Sequence, residues 1–91
     1  MRLDLFLKLS RLCPGRTVAQ KLCDAGIVLI NGRPAKSAHD VKAGDLITIK
    51  RHDHENVIRV LAVPAVRNVS RRDASRLIEV MSEKSFEPAG E

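Results

Sequence analysis

The dipeptide Asn31-Gly32, set directly after the apolar run Val28-Leu29-Ile30, constrains this chain more than any other feature. Both residues tolerate positive φ, so the pair predicts a tight turn that sends a buried strand back antiparallel to itself. Pro34 follows at once, and a residue without an N–H confines the return strand to a sheet edge or a short extended piece. Further on, Asp40–Asp45 reads as a second turn region feeding Leu46–Lys50, where Ile47 and Ile49 alternate with Thr48 and Lys50. His52–Asn56 reads as a polar loop and Val57–Val63 as another strand, ended by Pro64.

Helical patterns flank these strands. Residues 3–12 place Leu5, Phe6, Leu9 and Leu12 at helical spacing, and Pro14-Gly15 stops that helix. Thr17-Val18-Ala19-Gln20 has the capping-box pattern for a second helix, which turns Ala19, Leu22 and Cys23 inward and ends at Gly26. Ser70-x-x-Asp73 predicts a cap for a third helix carrying Ala74, Leu77, Ile78 and Met81 as one apolar stripe. The order predicts an α+β fold: residues 1–64 form the main domain, 65–84 a C-terminal helix packed on it, and 85–91 a frayed tail.

Several classes of function are excluded. The longest charge-free stretch, Ala25–Gly32, falls far short of the roughly 20 residues a membrane helix needs. Asp4 and Lys8 interrupt any signal-peptide core, so the expectation is a soluble cytoplasmic protein without a membrane partner. There is no G-x-x-x-x-G-K-[ST] loop and no G-x-S-x-G turn, and Asp40 and Asp45 flank a turn as local caps do. No catalytic residue, cofactor or metal site is expected. Cys13, Cys23 and the three histidines lack zinc-ligand spacing; Cys23 is expected on a helix face, and Cys13 partly exposed.

Charge points to a polyanion. Residues 1–51 hold ten basic and four acidic side chains, residues 52–91 six and seven. With Phe6 and Phe86 the only aromatics, modules that stack bases on aromatic platforms are excluded, and a reader of backbone and shape remains. Lys8 and Arg11 are three apart on the first helix; Arg16 precedes the second, whose N–H groups also favour phosphate, and Lys21 lies on it. Arg33 and Lys36 follow the Asn31-Gly32 turn. Two helices and a hairpin tip thus offer one cationic surface, for which a solvated face and an acidic protein partner remain the competing readings. Residues 70–84, by contrast, are expected to stabilise the domain and supply little RNA affinity, so that Arg76→Ala should bind normally.

Taken in order, Arg2-Leu3-Asp4, Leu9-Ser10-Arg11, Arg16-Thr17 with Ala19, Asp24-Ala25-Gly26, Ile30-Asn31-Gly32 and Gly44-Asp45 resemble the S4-type RNA-binding domain over about residues 1–51. The resemblance implies two helices packed on a small twisted antiparallel sheet. It also implies RNA contacts from Arg2, Arg11, Arg16, Thr17 and Asn31-Gly32. Leu5 and Cys13-Pro14-Gly15 depart from it, standing where relatives often carry basic residues. The short chain is similar to the stand-alone bacterial ribosome-associated quality-control proteins of the RqcP family. That likeness implies docking on stalled large ribosomal subunits, with rRNA and peptidyl-tRNA as partners and RqcH as the protein that tails the trapped nascent chain. Heat-shock ribosome-recycling proteins are the rival resemblance; they usually end in a longer basic extension, whereas this sequence ends in Glu87-Pro88-Ala89-Gly90-Glu91.

Overall fold

The computed structural model describes residues 1–65 and 69–85, with the backbone alone at 84 and 85. Its elements are α1 (Leu3–Leu9), α2 (Arg16–Asp24), β1 (Val28–Ile30), β2 (Arg33–Pro34), β3 (Leu46–Lys50), β4 (His54–Val60), α3 (Arg71–Ala74) and β5 (Ile78–Ser85). The strands form one antiparallel sheet in the order β2-β1-β3-β4-β5. This is the expected α+β architecture, a helix pair against a small sheet.

Turn chemistry sets the first half. Asn31 and Gly32 take φ of 51° and 87°, and β2, which contains Pro34, is a two-residue edge strand. Helix α2 closes with Gly26 at φ 75°, where the Gly26 and Ile27 N–H groups donate to the Cys23 and Leu22 carbonyls at 3.0 Å each. That pair of hydrogen bonds satisfies two of the last carbonyls of the helix and aims the chain into β1. Asp45 caps its own turn by accepting the Lys42 N–H at 3.0 Å. The helix pair then buries Leu3, Phe6, Leu7 and Ala19 against Val28, Ile47, Ile49, Ile58 and Val60.

Several local expectations need correction. Helix α2 starts two residues earlier than a Thr17 cap requires: Gly15 is the N-cap and makes no side-chain cap, so Thr17 lies within the first turn. Its supposed capping partner Gln20 is drawn to a stronger acceptor, the Asp4 carboxylate. Helix α1 ends at Leu9, because Ser10 caps it and Arg11 takes the left-handed φ of 67°. The polar loop is shorter than expected, since β4 begins at His54, and the Arg51 N–H donates to the His54 carbonyl at 2.8 Å to close a tight turn.

The largest correction lies at the C-terminal end. The Ser70 cap exists, its hydroxyl accepting the Asp73 N–H at 3.1 Å, but the helix lasts a single turn. From Ile78 the chain is strand β5, paired with β4 from Val60↔Ile78 to His54↔Ser85. Ala74 and Leu77 are buried as the stripe required, yet Met81 is 45% exposed. The register jumps from Ile58↔Val80 to Val57↔Ser82, which leaves Met81 as a bulged residue without a partner. Hydrogen bonding to an otherwise open β4 outweighs the weak helix propensity of Ile78-Glu79-Val80. Residues 78–85 therefore complete the main sheet, so a division at residue 64 cuts through one domain. The expected tail lies outside the described residues from 86 onward.

Candidate nucleic-acid interface

One buried carboxylate organises the cationic face. The α1 residue Asp4 has no exposed surface, and four donors converge on it. Arg2 donates from Nε and Nη2 at 3.2 Å each, Arg16 from Nη2 at 3.3 and 3.5 Å, Gln20 from Nε2 at 2.9 Å, and the Leu5 N–H at 2.7 Å. Burial alone pushes this carboxyl up. The hydrogen bonds from Gln20, Arg2, the Leu5 N–H and Arg16 outweigh it and hold the pKa below the ordinary carboxylate value. Asp4 is consequently ionised at neutral pH and fixes two guanidiniums.

Those guanidiniums stay available. The Arg2 and Arg16 side chains are 50% and 42% exposed, and each spends only part of its five-donor fork on Asp4. The cluster sums to one net positive charge on a rigid base. Rigidity extends to the backbone, because Leu3 and Asp4 N–H groups donate to the His39 and Ser37 carbonyls at 2.8 and 3.1 Å. Arg16 is also the first residue of α2, whose first turn carries no acid and whose N-cap offers no side chain. The free N–H groups and positive dipole end of α2 begin at Arg16 itself, a combination suited to phosphate.

The other expected residues divide. Lys8, Thr17, Lys21, Arg33 and Lys36 are exposed. Arg33 borders a shallow cleft with Asn31, Pro34 and His39, and Lys36 borders a second with Asp24 and Gly26; Pro34 and Ala35 line both. Arg11 does not share a helix face with Lys8. Its left-handed backbone carries it off α1, and its Nη2 donates to the Val69 carbonyl at 3.3 Å. Asn31 is committed internally: its Oδ1 accepts the Leu46 N–H at 3.0 Å, and its Nδ2 donates to Asp45 at 3.3 Å. It pins the hairpin tip to β3, so its side chain is a weaker candidate for RNA than its position suggests.

Neither cysteine is poised for chemistry. Cys13 is 2% exposed, not partly open as expected, because its chain segment folds under the end of α1. Burial pushes its thiol up against a smaller opposing effect of Arg51, and burial with the nearby Asp4 pushes Cys23 to about 11. Sequence reasoning found the Arg2–Asp4 pair but missed Arg16 and Gln20 as further donors. They are 12 and 16 residues from Asp4, and only the packing of α2 on α1 brings them to it.

Comparison with known proteins places this geometry among relatives. A family model described as S4 domain matches residues 1–47. A Streptococcus pneumoniae protein named RQC P-site tRNA stabilizing factor is 36% identical over 87 residues, covering 96% of this chain and 97% of that protein. The trimeric structure of Vibrio cholerae Heat Shock Protein 15 is similar with a TM-score of 0.79 and 29% identity, over 90% of this chain and 82% of that one. The solution structure of hypothetical protein HP1423 is similar with a TM-score of 0.78 and 35% identity, over 90% and 98%.

Proposed function

Because this chain belongs to the S4 domain family, we propose that it is a non-enzymatic RNA-binding factor of ribosome-associated quality control, docking on the large ribosomal subunit and steadying the P-site peptidyl-tRNA. The observation that carries the reading is the Asp4 cluster, which presents the Arg2 and Arg16 guanidiniums beside the open N-terminus of α2. Both forks can grip phosphate without first losing side-chain freedom, since Asp4 has already fixed them. Phe6 is fully buried in the core, so among the described residues no Phe, Tyr or Trp ring offers a base-stacking platform. Recognition accordingly runs through backbone phosphates and RNA shape.

In this reading the factor works in the cytoplasm, with rRNA as its anchor and tRNA as its cargo. Tailing of the trapped nascent chain is the work of RqcH on the same subunit. Near-complete mutual coverage with the Streptococcus pneumoniae relative supports this over heat-shock recycling, whose Vibrio cholerae representative extends beyond the matched region. The test is co-sedimentation of wild type and Arg16→Ala with purified large subunits carrying peptidyl-tRNA, at low and physiological salt. Wild type is expected to bind in a salt-dependent way and Arg16→Ala to bind several-fold more weakly. Binding by wild type that ignores salt, or that survives removal of the RNA by nuclease, overturns the reading.

A further inference from the structure

Residues 52–91 carry six basic and seven acidic side chains, and three of the six bases cluster in one turn. Arg71, Arg72 and Arg76 fall on α3 and the residues just after it, with Asp73 the one acid among them, and Glu79 and Glu83 follow on β5. The arginine-bearing turn is fastened at several points. Ser70 caps the Asp73 N–H, Ser75 Oγ donates to the Arg72 carbonyl at 2.8 Å, and the Leu61 N–H donates to the Leu77 carbonyl at 2.8 Å. Ala74 and Leu77 point into the protein, while Arg71, Arg72, Asp73, Ser75 and Arg76 are exposed. Three of the five outward positions are therefore arginine.

Among the described residues, none of these three guanidiniums has a carboxylate within 4.0 Å, unlike Arg2 and Arg16. Three like charges within six residues repel one another, Asp73 offsetting only one of them, and a polyanion relieves that repulsion on binding. Arg11 joins this group. Its left-handed φ turns it away from α1, and its guanidinium reaches the Val69 carbonyl, one residue before the Ser70 cap.

We propose that Arg71, Arg72 and Arg76, continued by Arg11, form a second phosphate-binding face that grips RNA backbone independently of the Asp4 cluster. The proposal rests on the RNA-binding reading given above and reverses the expectation that residues 70–84 supply little RNA affinity. An acidic peptide fits less well. The turn sends its own apolar side chains, Ala74 and Leu77, inward and offers a peptide none of them. Guanidinium forks on an outward-facing turn match phosphate oxygens and need no pocket.

The test compares wild type, Arg16→Ala and the triple variant Arg71→Ala/Arg72→Ala/Arg76→Ala in co-sedimentation with purified large ribosomal subunits across a salt series. Poly-glutamate serves as a second probe. The triple variant is expected to bind subunits roughly tenfold or more weakly at physiological salt, with a log–log salt slope shallower by about 2 and an unchanged far-UV CD spectrum. A triple lysine variant should recover most of that slope, which separates charge from folding. If the alanine variant melts early, Arg72→Ala alone decides, with an expected slope change of about 1. Wild-type behaviour of these variants beside a defective Arg16→Ala overturns the second face and leaves the RNA reading standing. Loss of poly-glutamate binding with subunit binding intact overturns it in favour of a protein partner. Wild type that fails to sediment with subunits overturns the RNA reading itself.

Discussion

Arg2 and Arg16 at the N-terminal end differ from Arg71, Arg72 and Arg76 near the C-terminal end in one respect, a shared buried carboxylate. The first pair gives up charge for order: two guanidiniums and Asp4 leave one net positive charge, held in place before any RNA arrives. The second group keeps its full charge among the described residues but must order its side chains when it binds, at about 0.5–1.5 kcal/mol for each immobilised side chain. The same residue type thus serves positional accuracy in one region and long-range attraction in the other. Salt should discriminate between them, because freely exposed charge is screened more than a partly buried cluster.

The comparison breaks first if the two regions do not share a core. Leu77 is 7% exposed and joins the arginine turn to the sheet. Leu77→Ala should lower stability by roughly 2–5 kcal/mol, read from urea denaturation. The unfolding curves by CD and by a probe in α1 should coincide; separate transitions mean that residues 69–85 unfold as their own unit.

Next in size is the carboxylate. Asp4→Asn removes the charge that holds both guanidiniums and should cost about 2–3 kcal/mol near neutral pH. That lies at or below the lower end for a broken buried ion pair, because both arginines remain half in water. The sign with pH follows from the lowered pKa of Asp4. Its contribution is complete above the unfolded value of about 3.9 and fades as pH falls through the lower folded value. Wild type and Asp4→Asn should accordingly converge in acid. A constant gap down to the most acidic measurable pH removes Asp4 ionisation as the source.

Smaller effects sharpen the picture. Arg16→Ala should leave the melting temperature close to wild type while making the salt slope of subunit binding shallower by about 1. Arg2→Ala should do the same with slightly more loss of stability, since Arg2 makes the two-nitrogen contact with Asp4. Smallest of all is Met81→Lys. At 45% exposed on a bulge, Met81 should accept lysine within about 0.5 kcal/mol by thermal melting. A loss of several kcal/mol instead restores the helical stripe that the sheet displaces.

What the sequence determined by itself was local. Asn31-Gly32, Pro34, Gly26 and the Ser70 cap were legible because each needs a backbone conformation or a hydrogen bond supplied within a few residues. The ordered S4-like motifs likewise placed Arg2 and Arg16 on one face. The tertiary structure decided the rest. Gln20 has the right spacing to cap from Thr17, yet packing offers it a buried carboxylate 16 residues away. Arg11 has the right spacing to join Lys8, yet the helix ends at Leu9 and sends it to Val69. Ile78 and Met81 have helical spacing, but β4 had an unpaired edge, and its ladder of backbone hydrogen bonds drew residues 78–85 into the sheet. The bulge at Met81 then shifted the two-residue alternation by one, erasing the strand's signature from the sequence. Local preferences of a few tenths of a kcal/mol per residue yield wherever distant partners satisfy buried charges and unpaired backbone groups.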